Sequence, residues 1–292
     1  MRVAVIGATG TIGRPLVEAL SREHDVVGVA RRPPPSDDRI TWVAADATDA
    51  NAIRAALEGI EVVYHLVHSL GSADFEERDR AAAEAVVYGA ASGGAAQIVY
   101  LGGLGEASSD LSPHLRSRAE TAAILGGGAV PLTTLRAAMI IGPGSAAFET
   151  IVALVERLPV MVCPRWVSVE TQPVALDDVL AALVGVCGNR AAFGETFDLG
   201  GMEIMTYRSM MERVAGLLDK HPILIEVPLL TPRLSSLWLY LVTPASVSVA
   251  RPLVEGLRVP TVAHDERIWE LVGARRTTFE DAVSAALAVR GA

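Results

Sequence analysis

Apolar residues along this 292-residue chain fall into two alternating patterns. Continuous runs that stop at glycine or a charged residue predict buried strands. Apolar residues recurring every three or four positions predict amphipathic helices. Arg2-Val3-Ala4-Val5-Ile6 is the first run, closed by Gly7, and after Gly13 the residues Leu16, Val17 and Leu20 return at helical spacing. Further strands are predicted at 25–30, 41–45, 61–67, 97–101 and 131–136, the fifth stopping before Gly102-Gly103. Helices are predicted at 49–57, with Asp49 as N-cap, at 74–92 and at about 113–125. Strands alternating with helices predict a parallel sheet with helices on both faces, and its strands read as unbroken apolar runs because both faces are covered.

Beyond Ser145 the alternation loosens. Helices are predicted at 148–158 and 176–187, the second opening on Asp177-Asp178, which suits a helix N-terminus. Gly142-Pro143-Gly144 reads as a turn, Pro164-Arg165-Trp166 as extended or turn, and 196–199 as a strand stopped by Gly200-Gly201. The remainder is helix-rich, at 207–218, 233–242, 247–257 and 279–289, with one apolar run at 223–227. The fold class expected is α/β, a doubly wound parallel sheet of the Rossmann type with a smaller helix-rich C-terminal substrate domain. The nucleotide-binding unit is expected over 1–145 and again over about 173–200, and the smaller unit over 146–172 and 201–292.

The first turn carries the clearest chemistry. Gly7-Ala8-Thr9-Gly10-Thr11-Ile12-Gly13 places glycines at G-x-x-G-x-x-G between a strand and a helix. Without a Cβ at Gly7, Gly10 and Gly13 a pyrophosphate can approach the backbone, and the helix start presents free N–H groups and the positive end of its dipole. The second strand ends at Arg31-Arg32, with no acid at the strand end. An acid there would suit a ribose 2′-hydroxyl, whereas arginines suit a 2′-phosphate. The expected cofactor is therefore NADP(H) rather than NAD, with a solvent-facing arginine pair as the alternative.

Composition narrows the partners. A net charge of −9 argues against nucleic acid. Cys163 and Cys187 lie far apart without metal-ligand spacing, so no metal site is expected and both read as packing thiols of a reducing, cytoplasmic compartment. No signal peptide is visible, and the apolar run 237–242 is too short to span a bilayer. The expected ligand is a small apolar organic molecule, and the exposed helices leave a homodimer open.

These features together resemble the extended and atypical short-chain dehydrogenase/reductases, and most of all their NmrA-like (YbjT-type) branch. The likeness rests on the glycine run, Arg31-Arg32, Asp46, Leu66-Val67-His68-Ser69, His114-Leu115-Arg116-Ser117-Arg118, Leu135-Arg136, Ile141 to Glu149 and Pro164-Arg165-Trp166. The resemblance implies that Gly7, Thr9, Gly10, Thr11, Ile12 and Gly13 line the pyrophosphate. It places Asp46 and Ala47 near the adenine, and Leu66, Val67 and His68 along the cofactor. A plain strand-end cap is the alternative for Asp46.

The departures from that family bear on catalysis. Its typical enzymes carry Ser or Thr after the fifth strand and Tyr-x-x-x-Lys on the next helix. Here Gly102-Gly103 and His114-x-x-x-Arg118 stand at those places. Arg118 can hold a ribose hydroxyl or phosphate, but a guanidinium does not shuttle protons. His114 and His68 are the candidate acids, since imidazole titrates near neutrality; His65, in mid-strand, reads as a core residue. A histidine acid predicts reduction that declines as pH rises through roughly 6–7. Three function classes follow: an NADP-dependent oxidoreductase on an apolar carbonyl or alkene, a non-catalytic cofactor-sensing regulator or scaffold, and a nucleotide-sugar epimerase or dehydratase. The last needs the missing Tyr-Lys pair.

Overall fold

Arg2–Ile6 (β1) lies at the middle of a seven-stranded sheet, and four of its five residues are buried. The computed structural model describes residues 1–35, 39–69, 72, 74–105, 113–227 and 259–290. In chain order the further strands are β2 (Asp25–Ala30), β3 (Ile40–Ala44), β4 (Val62–His65), β5 (Gln97–Gly103), β6 (Leu132–Ala137), β7 (Ile140–Ile141), β8 (Val160–Pro164), β9 (Glu170–Thr171), β10 (Val174–Ala175) and β11 (Thr196–Leu199). The large sheet runs β11-β6-β5-β4-β1-β2-β3, and every neighbouring pair is parallel. From β1 the chain builds outward on one side through β2 and β3, then returns to build the other side from β4. That reversal, between β1 and β4, opens a crevice at the carboxyl ends of the strands. This is the doubly wound Rossmann-type sheet expected from the sequence.

Helices α1 (Gly13–Leu20), α2 (Ala50–Ala56), α3 (Phe75–Gly93) and α4 (Pro113–Gly126) cover the two faces. The helical spacing of Leu16, Val17 and Leu20 buries all three on one face beside Val179 and Leu183 of α6 (Leu176–Gly185), with α5 (Ala146–Arg157) preceding it. Each such side chain contributes about 1.5–3 kcal/mol by leaving water. On the opposite face Ile53 and Leu57 pack with Val86 and Ala90 of α3 and Leu125 of α4. Asp49 caps α2, accepting from the N–H groups of Asn51 and Ala52.

A separate core joins Phe148, Ile151 and Leu154 of α5 to Met210 and Val214 of α7 (Tyr207–Leu217). Val283 completes it from the C-terminal helix, which follows α8 (Arg267–Val272) and is labelled α9 (Phe279–Arg290). The apolar run at 223–227 forms a strand parallel to β8. Within the stretch expected to form the smaller unit, 263–272 packs instead on the main sheet. The buried Asp198 carboxylate accepts from the N–H groups of His264 and Asp265, and Ile268 and Trp269 enter the first core.

Several boundaries differ from the sequence expectation for local reasons. β5 continues through Gly102 and Gly103, which stay paired with Arg136 and Ala137 of β6. β4 ends at His65, after which Leu66 gives one last N–H bond to Ile6. Asp178 does not sit free at its helix N-terminus: it is buried and accepts from the Thr277 N–H and hydroxyl, both at 2.8 Å. The expected helices at 233–242 and 247–257, and the apolar run 237–242, lie outside the described residues. No helix among the described residues is long and apolar enough to cross a membrane.

Candidate functional site

The glycine turn between β1 and α1 is shaped by contacts that leave no room for side chains. Gly7 has φ +91°, a conformation L side chains rarely adopt. A Cβ on Gly13 would stand 2.1 Å from the Gly7 carbonyl oxygen. The turn therefore closes tightly on the start of α1. Thr11 ties it to the Gly142–Ser145 turn by donating its hydroxyl to the Gly144 carbonyl at 3.1 Å.

A cleft of about 700 Å³ runs from this turn across the ends of β1 to β4. That lies within the usual size of small-ligand sites, about 300–1,000 Å³. Of the residues singled out from the sequence, Gly7, Thr9, Gly10, Arg31, Asp46, Ala47, Leu66, Val67 and His68 line it. Thr11, Ile12, Gly13, Arg32, Arg118 and His114 do not. Gly13 is buried beneath the turn, Ile12 packs on the core and Arg32 is exposed outside the cleft. Asp46 combines both roles considered for it. Its carboxylate caps the following turn, accepting from the Thr48 N–H and hydroxyl, and it also pairs with Arg78 at 3.2 Å. The Thr48 N–H bond, foremost, holds its pKa below the usual carboxylate value. Arg78, on α3, also lines the cleft and was not singled out from the sequence.

At the other end of the cleft three elements bring a chain of polar side chains together. Asp79, buried on α3, accepts from His68 Nδ1 at 2.8 Å, from the Ser69 N–H at 2.8 Å and from the Ser117 hydroxyl at 3.1 Å. His68 Nε2 stands 2.9 Å from His114 Nδ1. Burial raises the Asp79 pKa, but the His68 bond and charge and the Ser69 N–H outweigh it and hold the carboxyl ionised. Burial lowers the pKa of His68, against the pull of Asp79. Burial, then the positive charge of His68 and Arg118, lowers His114 to about 3.

The sequence sets His114 and Arg118 on one helix face and offers no hydroxyl at Gly102-Gly103 after the fifth strand. In the structure His114 pairs with His68 instead, and the hydroxyl of Ser117, between His114 and Arg118 in sequence, is committed to Asp79. Arg118 donates to the Leu101 carbonyl and lies 5.5 Å from the centre of the Tyr100 ring. A Cβ at Gly103 would meet Leu115 at 3.7 Å and Arg118 Nε at 3.8 Å, ordinary contacts. Asp79 and Ser117 carry no motif. Their only trace is a carboxylate and a hydroxyl at helix positions that the apolar pattern buries. His65 is fully buried, as expected of a core residue. Among the described residues no cluster of His, Cys, Asp or Glu is arranged to hold a metal ion.

Comparison with known proteins bears on the same region. The family described as NAD(P)H-binding matches residues 7–129. A stretch of 76 residues is 43% identical to an uncharacterised protein of Mycobacterium tuberculosis, covering 25% of this chain and 9% of that one. Over 239 residues the chain is 24% identical to a mitochondrial protein of Arabidopsis thaliana named NADH dehydrogenase [ubiquinone] 1 alpha subcomplex subunit 9, covering 77% of this chain and 60% of the other. The match thus spans about a tenth of the mycobacterial relative and three fifths of the plant one. Among solved structures, the NADPH-dependent quinone oxidoreductase of Escherichia coli complexed with NADPH superposes with a TM-score of 0.77 at 21% identity, covering 97% of this chain and 98% of that one. A nucleoside-diphosphate-sugar epimerase of Staphylococcus aureus superposes with a TM-score of 0.76 at 14% identity, covering 96% and 98%. Both likenesses establish the fold.

Proposed function

From the match of residues 7–129 to the family described as NAD(P)H-binding, and from the resemblance of its motifs to the NmrA-like, atypical short-chain dehydrogenase/reductases, we infer that the protein is an NADP(H)-dependent oxidoreductase. Its substrate class is a small apolar carbonyl or alkene, or the corresponding reduced compound. One observation carries this reading: the cleft that begins at the glycine turn ends at His68, which is hydrogen-bonded to Asp79 and His114. A dinucleotide laid along the cleft would run from Asp46 to a pair of titratable side chains.

The residues fit such a cofactor. The backbone of Gly7 to Gly13 would hold the pyrophosphate against the start of α1. Arg31, which lines the cleft together with the Asp46-paired Arg78, supplies positive charge for a 2′-phosphate and favours NADP(H) over NAD(H). Asp46 and Ala47 would flank the adenine, while Leu66 and Val67 would shield the cofactor from water. When bound, the nicotinamide supplies or accepts the hydride. The chain's own task is then to hold and move one proton, and His114 and His68 are the groups placed for it.

The test has two stages. NADPH should bind more tightly than NADH in a fluorescence titration. NADPH oxidation, or NADP+ reduction in reverse, is then followed over a panel of carbonyls, enones, quinones and alcohols. Absence of binding overturns the reading altogether. Tight binding without turnover on any of these favours the second reading, a cofactor-sensing regulator or scaffold. Two observations support that alternative: glycines stand where the family's hydroxyl would be, and the plant relative is named as a subunit of a larger complex.

A further inference from the structure

The hydrogen bonds around Asp79 determine which nitrogen of each histidine carries a proton. An ionised carboxylate only accepts. Asp79 takes the Ser69 N–H on Oδ1, and the Ser117 hydroxyl and His68 Nδ1 on Oδ2. His68 Nδ1 therefore carries hydrogen. A neutral His68 is then bare at Nε2, and that atom lies 2.9 Å from His114 Nδ1. One hydrogen must lie between them, so it belongs to His114 Nδ1. A neutral His114 is in turn bare at Nε2, for which the described residues provide no hydrogen-bond partner.

We propose that Asp79 is a positioning residue that fixes the tautomers of His68 and His114 in series and thereby leaves His114 Nε2 the proton-accepting nitrogen of the pair. The proposal deepens the oxidoreductase reading and rests on it for the identity of the proton donor. In the resting state the pair is prepared for oxidation of an alcohol. The substrate O–H bond breaks as an N–H bond forms at His114 Nε2. The Nδ1 proton of His114 passes to His68 Nε2, and the resulting imidazolium is neutralised by Asp79. An oxidised nicotinamide, when bound, would supply the co-reactant that takes the substrate's C–H hydrogen as hydride, so that the substrate becomes a carbonyl. After product leaves, the proton returns by the same path to water. Run backwards, the chain delivers a proton to a reduced carbonyl.

The charged and titratable groups around the pair are consistent with this assignment. His65 comes from β4, Asp79 from α3, and Arg118 from the same helix as His114. Arg118 opposes a resting positive charge on either ring, and Asp79 favours one on His68. A proton arriving at His114 is therefore better placed on His68.

The full chain, labelled with ¹⁵N-histidine and free of cofactor, tests this by long-range proton–nitrogen NMR at neutral pH. His68→Asn and His114→Asn provide the assignments. Both rings should show a protonated Nδ1 and a bare, pyridine-type Nε2. In Asp79→Asn the side-chain oxygen still accepts from Ser69, and the amide nitrogen now donates to His68 Nδ1. Both rings should then reverse, leaving His114 Nε2 protonated. Any alcohol oxidation should fall by about 10²-fold or more. A His114 protonated at Nε2 in the unaltered protein overturns the proposal, and so does a folded Asp79→Asn whose tautomers are unchanged. If Asp79→Asn does not fold, the unaltered protein's spectrum decides alone. The expected tautomers without any turnover would uphold the proton chain while removing the oxidoreductase reading.

Discussion

His68 Nε2 and His114 Nδ1 stand 2.9 Å apart although 46 residues separate them in the chain. The contact joins the segment after β4, which lines the cleft, to the start of α4, and it changes the pH dependence expected of this site. A free imidazole predicts reduction falling through pH 6–7. Burial, followed by the nearby His68 and Arg118 charges, lowers His114 to about 3, so its basic form is present throughout the neutral range. The proton-accepting form is lost only as pH falls toward that value. An NADP+-dependent oxidation should therefore be flat from about pH 6 to 8 and decline on the acid side. His114→Asn should lower the rate by about 10²-fold or more without moving cofactor affinity. A pH–rate series on both proteins checks this, and a limb centred near 6.5 that vanishes in the variant would show an ordinary, unshifted histidine.

Gly13 tests the turn itself. A methyl group there would lie 2.1 Å from the Gly7 carbonyl oxygen and 2.9 Å from the Ala8 Cα. Backbone atoms cannot yield as a side chain can, so Gly13→Ala must displace the start of α1 from β1. The expected outcome is loss of NADPH binding together with a destabilisation of about 1–3 kcal/mol. Fluorescence titration and a urea melt measure the two effects. Unaltered binding would place the phosphates elsewhere.

Arg31 lines the cleft and Arg32 does not. The two should therefore separate on substitution, although the sequence treats them as a pair. Arg31→Ala should weaken NADPH by about 1–3 kcal/mol and NADH by much less, as a charge-assisted contact to the 2′-phosphate is lost. Arg32→Ala should change either affinity by well under 1 kcal/mol. Comparable effects on both cofactors from Arg31→Ala would count against its role in choosing between them.

The sheet was legible in the sequence because its signals are local. Apolar runs mark β1 to β6, helical spacing marks α1, and the glycine turn lies between them with its own spacing. The cleft follows from strand order alone, and nine of the residues picked out along the chain line it. The proton chain was not legible, because Asp79 meets Ser117, and His68 meets both Asp79 and His114, only when α3 and α4 pack side by side. The apolar pattern of α3 shows that Asp79 faces inward, but not which side chains it meets there. His114 was visible as the replacement for a tyrosine, but its partner could not be. The same applies to 263–272, whose attachment to β11 depends on the buried carboxylate of Asp198 capturing two backbone N–H groups.

The last prediction concerns His65 and acid stability. This side chain is fully buried on β4, its ring centre 5.9 Å from that of Tyr100, and neither ring nitrogen has a hydrogen-bond partner among the described residues. Burial, the largest influence, lowers its pKa from 6.5 to about 4, and the positive charges of Arg118 and His68 add to it against Asp79. The folded state therefore resists the proton that the unfolded chain takes up readily. Stability is full above about pH 6.5 and declines as pH falls toward 4, because the unfolded state binds more protons in that window. For His65 alone the loss is about 3 kcal/mol across it. His114, lowered further, adds in the same direction. His65→Phe keeps a ring against Tyr100 and removes both the titration and two unpartnered nitrogens. Its stability at pH 7.5 should be equal to or above that of the unaltered protein, and its loss between pH 6.5 and 4 should shrink by about 3 kcal/mol. His65→Leu provides a smaller replacement if the phenyl ring overpacks the strand. Urea melts at intervals of half a pH unit measure the slope, and an acid limb as steep in both variants as in the unaltered protein would assign the loss to other groups.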